Sequence, residues 1–473
     1  MATRYILYWF DVEDTTVPQS DDANKILGNI LLKHGVRGTM KMVGQKIRAL
    51  RERVRYDVID ALEQHAIGYH TDMHGGRPQP AEYLGPLDWL EGQAEFERRE
   101  RRGMDEIMAM FGVIPVCYGQ PGSNWSPHVF PILRKWQIPT YVSGFGYIGC
   151  HAQPFYLGGM VNTSHMWGQD RQGREARHMF GLNFELGTPG AFEEHQRQFR
   201  ESYGLLEDGG LMSIMNHPCT LVKEEWFTTD LKSRELRDAG YAHFDAFIEF
   251  SLQHETKTIT ADQLPTLYPD KARNRVFSRE ELLALARGVG EEVYFAQSEG
   301  LTVSAAELLG MFVRFTAANL EVRPTRQGTA REVPGAYCEY YDGPALTATD
   351  CLSGFGASAD EFAESLRTVK AFLEGQGRVP EVVAVAGRRV SPDDYLVALA
   401  KAVASLIETG KLPDEVSFTP AHNRLREHVD VGAWEAACQS VMMKPGFTAP
   451  KLLEHAYLQA WTLKPAVLSG KLN

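Results

Sequence analysis

The sequence predicts an α/β fold in which a mostly parallel sheet is covered by helices. Short apolar runs alternate with amphipathic stretches through the first half of the chain, as in proteins built from strand–helix units. The run Tyr5–Phe10 is apolar and aromatic and stops at Asp11, as a buried strand does. Beyond residue 270 this alternation gives way to helical sequence, which predicts an additional, mostly α-helical unit.

The elements of the first half follow one another in a regular order. We expect strands at Tyr5–Phe10, Thr39–Val43, Ile67–His70, Cys117–Gln120, Thr140–Ser143 and Leu211–Met215. We expect helices at residues 21–34, 54–65, 91–111 and 127–136. In such folds the chemistry lies on the loops that follow the carboxyl ends of the strands. Polar residues at those ends are therefore the candidates for function.

The second half has a different, mainly helical sequence pattern, with four predicted helix starts that carry capping boxes. These are Ser278/Glu281, Ser304/Glu307, Ser358/Glu361 and Ser391/Asp394. The stretches TVSAAELLGMF from Thr302 and RVSPDDYLVAL from Arg389 look like copies of one unit. We expect one domain at residues 1–270 and a second, weakly duplicated one at 275–473. We interpret the second as an interaction domain, through which a homo-oligomer could form, with substrate binding as the alternative.

Composition excludes several functional classes. The 473 residues carry a net charge of −12, which argues against a nucleic-acid partner. No apolar stretch reaches the roughly 18 residues that a membrane span needs, and we expect no signal peptide. The six cysteines are scattered without a CxxC motif, which favours reduced thiols in a cytoplasmic protein and excludes a cysteine-ligated metal.

Metal-binding residue types gather at three predicted strand ends. His70 and His74 are four residues apart, a spacing that lets two imidazoles point the same way and bind one ion. The alternative to a metal-binding role is that His70 and His74 are ordinary surface or helix-capping histidines. A further histidine, His217, ends the late strand, and the fold would bring it to the same edge.

Three carboxylates follow the first strand, at Asp11, Glu13 and Asp14. Like charges packed this closely raise at least one pKa unless a cation neutralises them, and a divalent metal would do so. Carboxylate oxygens also complete the ligand set that imidazoles begin. The alternative is an acidic turn or helix start.

These residues belong to five segments that resemble, in order, the motifs of the polysaccharide deacetylase family, the NodB-homology carbohydrate esterases. The resemblance covers about residues 5–265. The segments are WFDVED from Trp9, GVRGTMKMVG from Gly35, AIGYHTDMH from Ala66, YGQPGSNWSP from Tyr118 and MNHP from Met215. The resemblance implies a distorted (β/α) barrel that holds one divalent metal, usually Zn²⁺.

The resemblance also implies a role for each matching residue. Asp11 would be the general base, His217 the general acid, and His70 and His74 metal ligands. The third ligand would be Asp14, with Glu13 as the alternative, because the inserted Val12-Glu13 makes the alignment ambiguous. The fourth segment implies substrate-binding roles for Gln120, Pro121 and Trp125.

Two departures from the family pattern bear on activity. Gln120 stands where the family has an arginine that tunes the base, and Thr140–Gly149 has no clear match to a later acidic motif. We therefore predict a metal-dependent hydrolase of C–N bonds that deacetylates an N-acyl sugar or a related small amide. The alternatives are a catalytically decayed, carbohydrate-binding or scaffold protein and an allantoinase-like amide hydrolase. A nucleotide enzyme is disfavoured because no glycine-rich loop follows the first strand.

Overall fold

The computed structural model describes residues 3–298, 300–321, 333–440 and 442–467. Its strands are β1 (Tyr5–Val12), β2 (Thr39–Met42), β3 (Ala66–Tyr69), β4 (Thr140–Tyr141), β5 (Phe155–Leu157), β6 (Met160–Asn162), β7 (Trp167–Gln169), β8 (Glu175–Arg177), β9 (Met179–Gly181), β10 (Leu211–Asn216), β11 (Lys257–Ile259), β12 (Val276–Ser278), β13 (Glu292–Val293), β14 (Ala296–Ser298), β15 (Leu301–Val303), β16 (Gly335–Tyr337), β17 (Phe355–Ser358), β18 (Val383–Val385), β19 (Arg388–Val390), β20 (Glu415–Phe418), β21 (His422–Asn423) and β22 (Lys464–Pro465). Its α-helices are α1 (Gln19–Lys33), α2 (Gly44–Glu52), α3 (Tyr56–Leu62), α4 (Pro80–Leu84), α5 (Trp89–Phe111), α6 (Val129–Lys135), α7 (Ala191–Leu205), α8 (Arg234–Leu252), α9 (Leu264–Leu267), α10 (Arg279–Val289), α11 (Ala305–Glu321), α12 (Ala359–Gln376), α13 (Pro392–Thr409), α14 (Val431–Cys438) and α15 (Pro450–Gln459).

A parallel sheet built around β1 organises the first half. Strand β1 pairs in parallel with β10 along most of its length, with β11 near its start and with β2 near its end. Strand β3 extends the sheet beyond β2, and β9 extends it beyond β10. Every residue of β1 after Tyr5 is buried, as expected of a parallel strand covered on both faces by helices. The predicted α/β architecture is confirmed.

The sheet continues past β3 through a single residue. Tyr118 bridges in parallel to Tyr69 of β3 and to Tyr141 of β4, so the strand expected at Cys117–Gln120 is reduced to one bridge before the turn at Pro121. Strand β4 then pairs with β6, and the order runs on to β5 and β22. No strand ladder joins β6 to β9 in the part of the chain that the structure describes, so a closed barrel stays a prediction.

The second half is mainly helical, and two stretches within it share one order of elements. Each has a strand, a helix, an antiparallel hairpin and a second helix: one includes α10, β14, β15 and α11, the other α12, β18, β19 and α13. The expected capping boxes are reciprocal at Ser278, Ser304 and Ser358, whereas at Ser391 only the serine side chain accepts a backbone N–H. The longer Glu side chain reaches back to the cap backbone more readily than Asp.

Contacts between the two halves are extensive. Strand β22, near the C-terminus, pairs antiparallel with β5 of the first half. Lys464 of β22 is buried and ion-paired with both Asp270 and Glu307. One continuous hydrophobic core contains residues of both halves. The division into domains at residues 270–275 stays a prediction.

Two simple findings bear on the expected environment of the chain. None of the helices in the described ranges is long and apolar enough to cross a membrane. The six cysteines are free thiols, and four of them are buried. A cytoplasmic location stays a prediction.

Candidate metal centre

The carboxyl ends of four neighbouring strands supply the candidate site. Asp11 lies near the end of β1, and Lys41 occupies the paired position on β2. His70 follows β3 directly, and His217 follows β10. Because these strands are parallel neighbours, all of these side chains meet at one edge of the sheet, as the alternation of elements predicts.

Glu13, His70 and His74 form a cluster with the composition of a catalytic metal site. Their donor atoms all lie within 4.8 Å of one another. Glu13 Oε2 is 2.9 Å from His74 Nε2 and 3.4 Å from His70 Nε2. The two imidazole rings are stacked with their centroids 5.4 Å apart. Two histidines and one carboxylate are a common protein ligand set for catalytic zinc.

His70 is oriented to act as a ligand. Its Nδ1–H donates a 2.7 Å hydrogen bond to the carbonyl oxygen of Gly119, which directs Nε2 towards Glu13. Nε2 is buried and has no hydrogen-bond partner among the described residues. Burial is the main cause of a lowered His70 pKa, so the ring is held in the neutral form that binds metals. Nε2 of His70 therefore offers an unshared electron pair in a buried position, as expected of a metal ligand.

Asp14 is not part of this cluster, although it is the ligand that the sequence favoured. Its carboxylate lies 2.9 Å from Nζ of Lys223 and accepts a hydrogen bond from the hydroxyl of Thr16. These partners, with a hydrogen bond from Ser20, outweigh burial and lower the Asp14 pKa. The structure therefore brings Glu13, the alternative ligand, to the histidines in place of Asp14.

Asp11 and His217 lie beside the cluster and face each other. Asp11 Oδ2 is 3.4 Å from Nε2 of His217, and Asn183 Oδ1 accepts a hydrogen bond from Nδ1–H of His217. Burial alone would raise the Asp11 pKa, but the adjacent His70 imidazole, the Lys41 ammonium and the His217 imidazole hold it well below its usual range. Burial likewise disfavours the charged His217, yet the Glu13 and Asp11 carboxylates raise its pKa.

Lys41 is a functional candidate that the sequence did not reveal. Its Nζ is 2.8 Å from Asp11 Oδ1, and the side chain is completely buried. In the sequence, Lys41 lies inside an ordinary-looking strand, and nothing local marks it as the partner of Asp11. Gln120 supplies no positive charge to Asp11, and Lys41 on β2 supplies one instead.

The residues predicted to bind substrate lie inside the protein. Gln120 is 2% exposed, and its amide donates to the carbonyl oxygens of Gly122 and Phe145. Trp125 is 1% exposed and packs edge-on against Phe130 and Tyr147. Pro121 is also buried. Gln120, Pro121 and Trp125 are therefore all buried in this structure, and their substrate-binding role stays a prediction.

A cavity of about 340 Å³ opens directly onto the metal-ligand cluster. Glu13 and His74 line its floor, together with Met73, Trp226 and Phe227. Phe227 is 57% exposed and Trp226 37% exposed, and the Trp226 ring packs edge-on against His217. Partly exposed aromatic rings beside polar groups suit a ligand that has both apolar and polar faces.

The loop that carries the two histidines is held from below by Glu100 of α5. This buried carboxylate accepts hydrogen bonds from the Tyr69 hydroxyl at 2.6 Å, the Thr71 hydroxyl at 2.9 Å and the Asp72 backbone N–H at 2.7 Å. Thr71 has φ of +90°, which is unfavourable for a β-branched residue. The hydrogen bonds to Glu100 thus fix a strained turn that orients His70 and His74.

Fold and site together define an α/β protein with a two-histidine, one-carboxylate centre at the carboxyl edge of its sheet. No family model matches the chain, and no curated protein matches it. Solved structures with a similar fold include a proposed polysaccharide deacetylase from Mycobacterium smegmatis, at 18% identity and TM-score 0.37 over 56% of this chain and 90% of that one.

Two more of these structures differ in activity. An acetyl xylan esterase from Clostridium thermocellum, solved with a cobalt ion, has 15% identity and TM-score 0.30 over 56% of this chain and 91% of that one. A family 4 carbohydrate esterase pseudoenzyme from Bacillus anthracis has 14% identity and TM-score 0.31 over 55% of this chain and 64% of that one. These likenesses are too remote to assign an activity, so a function must rest on the site itself.

Proposed function

We propose that this protein is a metal-dependent hydrolase of C–N bonds that deacetylates an N-acyl sugar or a related small amide. The observation that carries the proposal is the Glu13–His70–His74 cluster, with Asp11 and His217 beside it and a cavity that Glu13 and His74 line. The order of sequence motifs that resemble the polysaccharide deacetylases supports the same reaction class.

The charges favour a single cation. Asp11, Glu13 and His217 form a second, overlapping group of donor atoms. Lys41, however, already neutralises Asp11, so the pair of carboxylates leaves about one negative charge for a metal to balance. We therefore assign one ion, most simply Zn²⁺, to Glu13, His70 and His74. When bound there, it would polarise the amide carbonyl and a coordinated water.

Asp11 and His217 divide the proton transfers between them. Asp11, whose pKa is held low, is ionised at neutral pH and can accept a proton from the attacking water through Oδ2. His217, whose pKa is raised, can carry a proton on Nε2 and donate it to the leaving nitrogen. Asn183 keeps Nδ1 protonated and fixes the ring in the orientation that this transfer needs. The products are a short carboxylate, such as acetate, and a free amine.

The walls of the cavity favour a sugar as the acylated amine. The Trp226 and Phe227 rings offer apolar surface for the C–H face of a pyranose, while Gln45 and Lys223 line the same cavity with hydrogen-bonding groups. No described residue of the second half lines this cavity. We propose that the second half serves as an interaction or oligomerisation unit.

Metal content and turnover test the proposal together. We expect about one divalent ion per chain by elemental analysis, lost in His70→Ala because the site then keeps one histidine. His178→Ala removes a buried histidine outside the cluster and should keep the ion. The holoprotein should release acetate from a chromogenic acetyl ester or from N-acetylated oligosaccharides, and His70→Ala should not.

Other outcomes would point elsewhere. Turnover that survives His70→Ala without metal would contradict metal dependence and favour a metal-free amide hydrolase. Stoichiometric metal without turnover on any acetylated substrate would favour a decayed, binding-only protein.

A further inference from the structure

We propose that Lys41 is a positioning residue for the base Asp11: it fixes one carboxylate oxygen and leaves the other free for proton transfer. This inference rests on the function proposed above and adds a residue to its machinery. It is carried by the juxtaposition of Lys41, Asp11 and the metal-ligand cluster at the ends of β1, β2 and β3.

The ammonium group of Lys41 is fully occupied by protein partners. Nζ lies 2.8 Å from Asp11 Oδ1 and donates a 3.0 Å hydrogen bond to the carbonyl oxygen of Val142. It also lies 4.0 Å from the centre of the Trp9 ring, close enough for a cation–π interaction. A lysine completely removed from water in this way is costly unless paired, so its retention calls for a specific use.

Neighbouring glycines create the space that Lys41 occupies. A Cβ atom at Gly119 would lie 2.4 Å from Lys41 Nζ and 2.0 Å from Val142 O. A Cβ atom at Gly68 would lie 2.9 Å from Lys41 Cγ. The Gly119 carbonyl also accepts the hydrogen bond that orients His70. The lysine pocket and the metal-ligand cluster are therefore built from the same turns.

The carboxylates of Asp11 and Glu13, at the end of β1, face different partners. Asp11 Oδ1 faces Lys41, whereas Asp11 Oδ2 faces Nε2 of His217. Glu13 faces His70 and His74 instead. Asp11 Oδ1 also lies 3.4 Å from Nδ1 of His70. Lys41 thus fixes Oδ1 and leaves Oδ2 directed at His217 and the reacting water. Without Lys41, the buried Asp11 would lose its closest cation and the contact that fixes Oδ1, and would keep only its contacts with the two histidines.

A double-mutant cycle tests the coupling in metal-free protein and needs no substrate. We expect Lys41→Met to lower the melting temperature by several degrees, because it removes the closest cation from a buried carboxylate. Asp11→Asn in the Lys41→Met background should recover more than half of that loss. Additive effects of the two substitutions would overturn the coupling.

Kinetics and metal binding test the positioning role in the holoprotein. Lys41→Met should lower kcat on a chromogenic acetyl ester by about 100-fold or more, while the Co²⁺ dissociation constant from visible absorption stays close to wild type. Ethylammonium should restore part of the activity of Lys41→Ala, because a small amine can fill the vacated site. Lys464→Met, which breaks a buried ion pair elsewhere, should lower stability without this kinetic effect.

The readouts separate this inference from the proposed function. An active wild type whose Lys41 variants keep kcat, or lose activity only with loss of metal and without amine rescue, would overturn the inference alone. A wild type that binds no metal and hydrolyses no acetyl compound would overturn both, whatever the stability cycle shows. If Lys41→Ala does not fold, the isosteric Lys41→Met carries the kinetic comparison.

Discussion

At the scale of single residues, the decisive feature is the direction in which each carboxylate after β1 points. Glu13 faces His70 and His74, while Asp14 faces Lys223. One residue of difference along the chain therefore separates a ligand from a largely buried ion pair with Lys223. The sequence could show that acids and histidines would meet, but not which acid, because that depends on the turn that the backbone takes after Val12.

A matched pair of substitutions tests this assignment. Glu13→Gln should weaken divalent-metal binding by more than the roughly 10–100-fold that is typical for residues surrounding the ligands. Asp14→Asn should leave the affinity near that of the wild type, because it changes only the contact with Lys223 and Thr16. Competition titration with a chelating dye measures both. The reverse ranking would restore Asp14 as the ligand.

Lys41 shows a second limit of sequence reasoning at this scale. Its partner lies on another strand, and a lone lysine between methionines has no local pattern that predicts a buried ion pair. By contrast, His70 and His74 lie in one short segment, so their spacing alone indicated a shared ligand role. Local constellations and the sheet edge at which they meet could be predicted, whereas an individual ion pair between two strands could not.

At the scale of elements, the sequence predicted β1 to β4 and β10, and α1, α3, α5 and α6, near their observed bounds, but it did not predict β5 to β9, β11, α7 or α8. The predicted strand at Thr39–Val43 is β2, and the predicted helix at 91–111 is α5. It missed α2, because Gly44–Glu52 is short and rich in basic residues with few apolar positions. The hydrogen bonds from the His70–His74 loop to α5 could not be predicted from the sequence either, because Glu100 lies in a charged stretch of helix that is typical of a solvent-exposed face.

Glu100 supports the metal centre through this element contact, and its removal is the next test. Glu100→Leu keeps a side chain of similar size but leaves the Thr71 and Tyr83 hydroxyls and the Asp72 N–H without their acceptor, while the Tyr69 hydroxyl keeps the backbone carbonyl of residue 100. We expect metal affinity to fall by roughly 10–100-fold, measured by the same titration. Glu97→Leu on the same helix, which loses only a surface pair with Lys135, should bind metal normally. Unchanged metal affinity in Glu100→Leu would show that Glu100 of α5 does not support the metal centre.

At the scale of the whole molecule, two buried histidines join the halves of the chain. His128, just before α6, and His455 of α15 have ring centroids 4.6 Å apart, and both rings lie close to Trp89. Burial is the main cause of the lowered pKa of each, and His455 further disfavours a charge on His128. Both rings are therefore neutral in the folded protein, although Asp88, Glu454 and Lys451 lie nearby.

This contact predicts a pH-dependent stability with a definite sign. Because the folded-state pKa values lie below the unfolded value of about 6.5, the unfolded chain binds more protons as the pH falls. Stability should be complete above about pH 7 and decline as the pH drops through about 6.5. His455→Leu should flatten this decline in melting temperature, whereas His422→Leu, at an exposed histidine, should not. An identical decline in wild type and His455→Leu would refute this explanation.

Anomalous diffraction from crystals of the protein grown with Zn²⁺ would show directly whether Glu13, His70 and His74 are the metal ligands. We expect one strong peak per chain within about 2.0–2.2 Å of Glu13 Oε, His70 Nε2 and His74 Nε2. Asp11 should keep its ion pair with Lys41. A peak bound by Asp14, a second ion between Asp11 and His217, or no peak at the cluster would contradict this assignment.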